Sequence, residues 1–210
     1  MNLPNAFTVG RIVATPLIAI LPLANSWGLR LTAFILFLAA AISDYIDGYL
    51  ARSRKQETDL GRLLDPLADK LLLVATFIPM YLLAQHLPFV TPFGMVGLPL
   101  WVVLVVLGRE LFMTLFRQAA ARRGVVIAAI GPAKWKTAIQ LVWQGCAYFW
   151  FFAVALKEAQ SWDGEPWRAF AMFNGTVGFL SMIVAVALTI YSLAVYLRSF
   201  GSVFSTAVQK

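Results

Sequence analysis

Cysteine is nearly absent: Cys146 stands alone, which excludes a disulfide framework and any zinc site built from several cysteines. Histidine is equally scarce, with only His86. Charge is thin as well. Asp, Glu, Lys and Arg make up 13% of the 210 residues, against about 25% in an average soluble domain. These shortages exclude a disordered chain and an ordinary soluble globule, and no internal repeat or low-complexity segment is visible. What is there is apolar: 60% hydrophobic residues and a mean hydropathy of +0.77. The formal charge of +7 comes from 17 Lys and Arg against 10 Asp and Glu. In a chain this apolar that excess is read as charge sorted by a bilayer, not as a nucleic-acid surface. The composition specifies an integral membrane protein.

A helix needs about 20 apolar residues to cross the hydrocarbon layer. Stretches without Asp, Glu, Lys or Arg run from Ile12 to Leu29, Leu31 to Ser43, Leu71 to Gly108, Thr137 to Leu156 and Ala169 to Leu197. The third holds Pro88, Pro92, Gly94 and Gly97, so it reads as two helices joined by a turn. The second becomes a full span only if it continues through Asp44 and Asp47 to Ala51. Likewise Leu60 to Ala84 makes a span that begins with Asp65 and Asp69. The expected fold is an all-α integral membrane protein of six transmembrane helices, near 6–25, 28–52, 60–84, 97–120, 133–157 and 168–198, with 1–210 as one catalytic domain. With the N-terminus inside, all of the Lys and Arg except Arg30, Lys157 and Arg168 fall on the cytoplasmic side, so both termini are expected there. Trp27, Trp101, Trp162 and Trp167 fall at outer ends and Trp135 at an inner one, as an aromatic belt requires. The first apolar run lacks the basic start and small-residue cleavage site of a signal peptide.

Carboxylates at membrane depth are expensive, and each is a functional candidate. Asp44 and Asp47 are three apart and Asp65 and Asp69 four apart, so each pair shares one helix face. The short segment 53–59 makes the two helices antiparallel neighbours with the four acids at a similar level. Four converging carboxylates need positive charge between them. Oxygen-only ligation suits Mg²⁺ or Mn²⁺, with substrate phosphates completing the shell. Gly48, Ala51 and Gly61 clear space for a ligand against the backbone, although small residues also serve close helix packing.

The string Asp44-x2-Asp47-Gly48-x2-Ala51-Arg52-x8-Gly61-x3-Asp65-x3-Asp69 resembles, position for position, the signature of the CDP-alcohol phosphotransferases. That resemblance implies six transmembrane helices, usually in a homodimer, and transfer of a phosphate-bearing group from a CDP-linked donor to an alcohol, with release of CMP. It also implies roles. Asp44, Asp47 and Asp65 bind one or two divalent ions, and Asp69 is both a ligand and the general base. Gly48 and Gly61 flank the cytidine, while Arg52 and Thr58 touch the donor nucleotide or its diphosphate.

The start of the chain, Pro4-Asn5-x2-Thr8-x2-Arg11, is similar to the branch of that family whose donor is CDP-diacylglycerol and whose acceptor is sn-glycerol 3-phosphate. There Asn5 and Thr8 help hold the diphosphate; both are polar groups near the start of the first helix, where anions are favoured. A phosphorylated acceptor needs cations, and Arg109, Arg117 and Lys134 are the candidates. Arg109 and Arg117 fall on roughly the same side of one helix, and an Arg that deep pairs with an acid or binds an anion. Glu110 projects differently and is assigned to packing or a helix contact. Gly108-Arg109-Glu110, then Arg117, then Lys134-x-Lys136-Thr137-x2-Gln140 is similar to the same branch, where these segments line the acceptor site. Pro132 and Ala133 stand between Gly131 and Lys134, a departure that shifts the helix start there. Arg122, Arg123 and Lys136 read as anchors to anionic headgroups, His86 as structural, and Cys146 and Met113 as core or lipid-facing.

The resulting expectation is a multi-pass enzyme of the cell (inner or plasma) membrane, with its active site facing the cytoplasm. It joins CDP-diacylglycerol to glycerol 3-phosphate using Mg²⁺ or Mn²⁺. Inositol phosphate, serine or phosphatidylglycerol as acceptor remain alternatives within the fold. A cation transporter is the alternative from another class, although it would place its acids near the bilayer midplane.

Overall fold

A computed structural model describes residues 3–54, 59–125, 127 and 131–200, and within them the side chains of all but 3–5, 44–54, 59–63, 65 and 132–134. Six long helices lie among the described residues: α1 (Leu3–Ile20), α2 (Trp27–Arg54), α3 (Asp59–Ala84), α4 (Leu100–Ala121), α5 (Gly131–Gln160) and α6 (Glu165–Phe200). Between α3 and α4 a short antiparallel hairpin joins β1 (Phe89–Thr91) to β2 (Gly94–Val96).

Chain chemistry sets these limits. α1 stops at Ile20 and tightens into a 3-10 turn over Leu21–Leu23, with Pro22 in its first turn, several residues before the expected end. Leu98 precedes Pro99, and a residue before proline is pushed out of the helical region. Pro99 itself is extended, so α4 begins at Leu100 and not at 97. The turn expected in that stretch is a hairpin. Thr91 pairs with Gly94, the Thr91 hydroxyl donates to the Gly94 carbonyl at 2.7 Å, and the Phe93 N–H donates to the same hydroxyl oxygen. Gly94 has a φ of 112°, a conformation that favours glycine.

Four helical segments among the described residues are long and apolar enough to cross a membrane: Ala6–Leu23, Pro66–Ala84, Trp135–Gln160 and Glu165–Phe200, with Trp27–Ser43 a shorter apolar run. α4 carries Arg109, Glu110 and Arg117 within its length. Large side chains such as Val13, Ile35, Leu104, Leu115 and Phe173 face outward, which a soluble monomer would not sustain on this scale. The chain is a helical multi-pass membrane protein.

By compactness the chain divides into two units: Met1–Leu98 with Gln144–Gly178, and Pro99–Trp143 with Phe179–Lys210. In the first unit, α1 packs against both α2 and α3. The α5 segment is tied in by polar groups that would otherwise be costly to bury. Tyr148 donates to the Ile18 carbonyl at 3.1 Å and stacks on Phe37, Gln144 donates to the Thr76 hydroxyl at 2.9 Å, and Trp150 donates to the Leu87 carbonyl. Buried Arg30 caps the carbonyls of Pro22 and Ala24 and reaches that of Phe151. Gly175 of α6 admits the hairpin, since a Cβ there would stand 2.0 Å from the Val90 carbonyl oxygen. In the second unit, Met113, Ala120, Ile127 and Tyr196 form a buried cluster, flanked by Phe116, Val125, Leu193 and Phe200.

Candidate active site

Helical backbone carries Asn5 in α1, Asp44, Asp47, Gly48 and Arg52 in α2, Gly61 and Asp65 in α3, and Lys134 in α5. The side chains at these positions, and Thr58 altogether, lie outside the described residues. Of the four acids, Asp69 is therefore the one whose surroundings are described. Its side chain is 57% exposed, and its Oδ1 accepts from Arg11 Nη1 at 2.8 Å. Arg11 by contrast is buried, with a side chain only 1% exposed. Thr8, one turn earlier on α1, is buried as well, and the Thr15 hydroxyl donates to the Arg11 carbonyl. A fixed guanidinium thus orients an accessible carboxylate. The cation is thus held inside the unit while much of the acid reaches its surface.

The sequence reading placed Arg11 in the opening motif and among the cytoplasmic basic residues, and it missed this pairing. The two residues are 58 apart, and periodicity does not announce a contact across helices. The only available signal was the absence of another acid near Arg11 in sequence.

The second unit holds Arg109 and Arg117. Arg109 is buried; Nη1 donates to Glu110 Oε1 at 2.8 Å and Nη2 to the Ser192 hydroxyl at 3.0 Å. Its Nε is buried with no hydrogen-bond partner among the described residues. Arg117 is more exposed, and its Nη2 donates to the Tyr196 hydroxyl at 2.9 Å. Both guanidinium carbons lie over the Tyr196 ring, at 5.9 Å for Arg109 and 5.4 Å for Arg117.

Glu110 makes the helix contact that was one of its two expected roles: its Oε1 accepts from Arg109 of its own helix and from Lys136 of α5. One expectation changes: Lys136 is not a headgroup anchor, since its side chain is 4% exposed and is spent on Glu110. A lysine that deep is tolerated because the carboxylate is beside it. Arg122 and Arg123 are exposed, as an anchoring role requires. Met113 is buried and Cys146 half-buried against Gly178, while His86 sits exposed in the turn after α3. Two cations on one carboxylate, with Arg117 alongside, leave the second unit's polar cluster net positive. That is a setting for an anion.

A CDP-diacylglycerol–glycerol-3-phosphate 3-phosphatidyltransferase of Arabidopsis thaliana is 33% identical over 97% of the chain and 64% of its own length. The enzyme of that name from Bacillus subtilis is 37% identical over 67% of the chain and 73% of its own length. A cardiolipin synthase (CMP-forming) of Oryza sativa is 31% identical over 94% of the chain and 57% of its own length. The chain thus spans less than two thirds of the length of these two plant relatives. Residues 1–200 match the family described as CDP-alcohol phosphatidyltransferase, and the chain belongs to that family.

Proposed function

We propose that the chain is a phosphatidylglycerophosphate synthase. It moves the phosphatidyl group of CDP-diacylglycerol to sn-glycerol 3-phosphate, giving phosphatidylglycerol phosphate and CMP. Residues 1–210 work as a single catalytic domain of six spans, usually in a homodimer. Both termini and the active site face the cytoplasm, in the inner or plasma membrane.

Asp69 takes the proton from the acceptor hydroxyl. The oxygen so freed forms a bond to the β-phosphorus of the donor, and the bond from that phosphorus to the bridging oxygen breaks, releasing CMP. Arg11 holds the Asp69 carboxylate in place during this step. The four carboxylates offer hard oxygen donors only, a set that fits Mg²⁺ or Mn²⁺. Asp44, Asp47, Asp65 and Asp69 would hold one or two such ions, whose charge would offset that of the diphosphate and of the leaving group. Asn5, Thr8, Gly48, Arg52, Thr58 and Gly61 bind CDP-diacylglycerol. Arg109, Arg117 and Lys134 hold the acceptor phosphate.

The observation that carries the choice of acceptor is the buried Arg109, whose Nε has no hydrogen-bond partner among the described residues, sharing the Tyr196 ring with Arg117. A phosphate brings two negative charges to this excess of cations, whereas serine offers one carboxylate beside its own ammonium. The likeness to a cardiolipin synthase favours one second reading, in which phosphatidylglycerol is the acceptor.

The test is CMP release by purified protein with CDP-diacylglycerol, supplied with glycerol 3-phosphate, inositol phosphate, serine or phosphatidylglycerol in turn. Release with glycerol 3-phosphate alone is expected. It should stop on chelation of divalent metal and return when Mg²⁺ or Mn²⁺ is restored. Release with phosphatidylglycerol alone would transfer the assignment to the second reading. Cation flux into vesicles without CMP release would replace the enzyme with a transporter.

A further inference from the structure

The reading of Arg109 and Arg117 as acceptor-binding cations leaves open what keeps two guanidiniums at a fixed separation with no acceptor between them. Like charges repel, and long side chains lose rotamer freedom when ordered. The answer offered by the structure is on α6. Ser192 and Tyr196 are one helical turn apart and share a face. Both are fully buried. Ser192 donates its hydroxyl proton to the Thr189 carbonyl at 3.1 Å, which turns an oxygen lone pair toward Arg109. Tyr196 accepts from Arg117 with its hydroxyl and lies within cation–π range of both guanidiniums with its ring. The negative face of a tyrosine ring offsets part of the repulsion between two cations that share it.

We infer that Tyr196, assisted by Ser192, is a positioning residue that sets the spacing and orientation of Arg109 and Arg117 for the phosphate of the acceptor. Tyr196 touches no substrate itself; it acts through the two arginines. The inference rests on the acceptor-side reading of those arginines, but not on the identity of the phosphorylated alcohol. A residue that only fills the core would affect stability, or both substrates alike. A residue that orders the acceptor cations shifts the acceptor's KM and leaves the donor's in place.

The experiment uses the full chain in detergent with Mg²⁺, and reads kcat and both KM values beside thermal unfolding. Tyr196→Phe keeps the ring and removes the hydroxyl. The acceptor KM should rise about tenfold, the loss expected for one hydrogen bond to a charged group, with the donor KM and the melting temperature little changed. Tyr196→Leu removes the ring as well and should raise the acceptor KM further. Ser192→Ala probes the Arg109 side independently and decides the matter if the Tyr196 variants fail to fold. An unchanged acceptor KM in the folded variants, or equal shifts for donor and acceptor, would overturn the inference. If the wild-type protein turns over with another phosphate-bearing acceptor, the choice of glycerol 3-phosphate falls. A selective KM rise for that acceptor in Tyr196→Phe would still uphold the positioning role. Turnover with serine alone overturns both.

Discussion

Glu110 is the residue whose loss isolates the most charge. It accepts from the buried Arg109 and the buried Lys136, so Glu110→Gln leaves two cations in a low-dielectric setting without their counter-charge. Breaking such a network from one side costs about 3–5 kcal/mol. The variant should melt well below wild type in detergent, whereas a merely peripheral Glu110 would leave melting unchanged. Asp69→Asn belongs to the same scale with the opposite signature. The amide keeps the size of the side chain but does not take the acceptor's proton, so turnover should vanish while donor binding persists. Equal loss of both would remove the base role. The four acids announced themselves through their spacing where two apolar runs end and begin. Arg11, Ser192 and Tyr196 did not, because each acts on a residue more than fifty positions away. The pairing of Glu110 with Arg109 was not expected because neighbours in sequence point apart on a helix, yet the flexible stem of Arg109 bends back to meet it.

At the scale of elements, the long helices were legible because a bilayer fixes their minimum length. The single apolar run from 71 to 108 resolved into α3 and α4 at its prolines and glycines, as expected. The hairpin inside it was not foreseen. Three-residue strands carry too little alternation to be read, and this pair persists because α6 receives it at Gly175. That reception is testable. Gly175→Ala would drive a Cβ to 2.0 Å from the Val90 carbonyl oxygen, and backbone cannot yield as a flexible side chain does. A destabilisation of about 2 kcal/mol or more is expected, in line with overpacking elsewhere. Gly10→Ala in α1 meets nothing within 4 Å and should hold or raise stability by about 0.5–1 kcal/mol, the gain of alanine over glycine in a helix. Equal melting of the two variants would mean that the hairpin does not rest on α6 in the membrane.

For the whole molecule, the distribution of charge carries the argument that individual contacts do not. Long apolar helices make a membrane protein, but their apolarity is the same from either side. Orientation comes from the placement of Lys and Arg in the connections and towards the helix ends, and all but Arg30, Lys157 and Arg168 would fall on one side of a six-span path. The near absence of cysteine makes this path measurable. With Cys146 replaced by Ala, single cysteines can report the two sides from exposed loop positions: Arg122→Cys beyond α4, and Asp163→Cys between α5 and α6. A membrane-impermeant maleimide added to intact cells should label the cysteine at 163 and spare the one at 122. Once the membrane is opened, both should react. Labelling of 122 alone in intact cells would invert the topology and put the arginines of α4 on the side away from cytoplasmic glycerol 3-phosphate. Labelling of both would require an even number of crossings between them, and α5 would then no longer be a span.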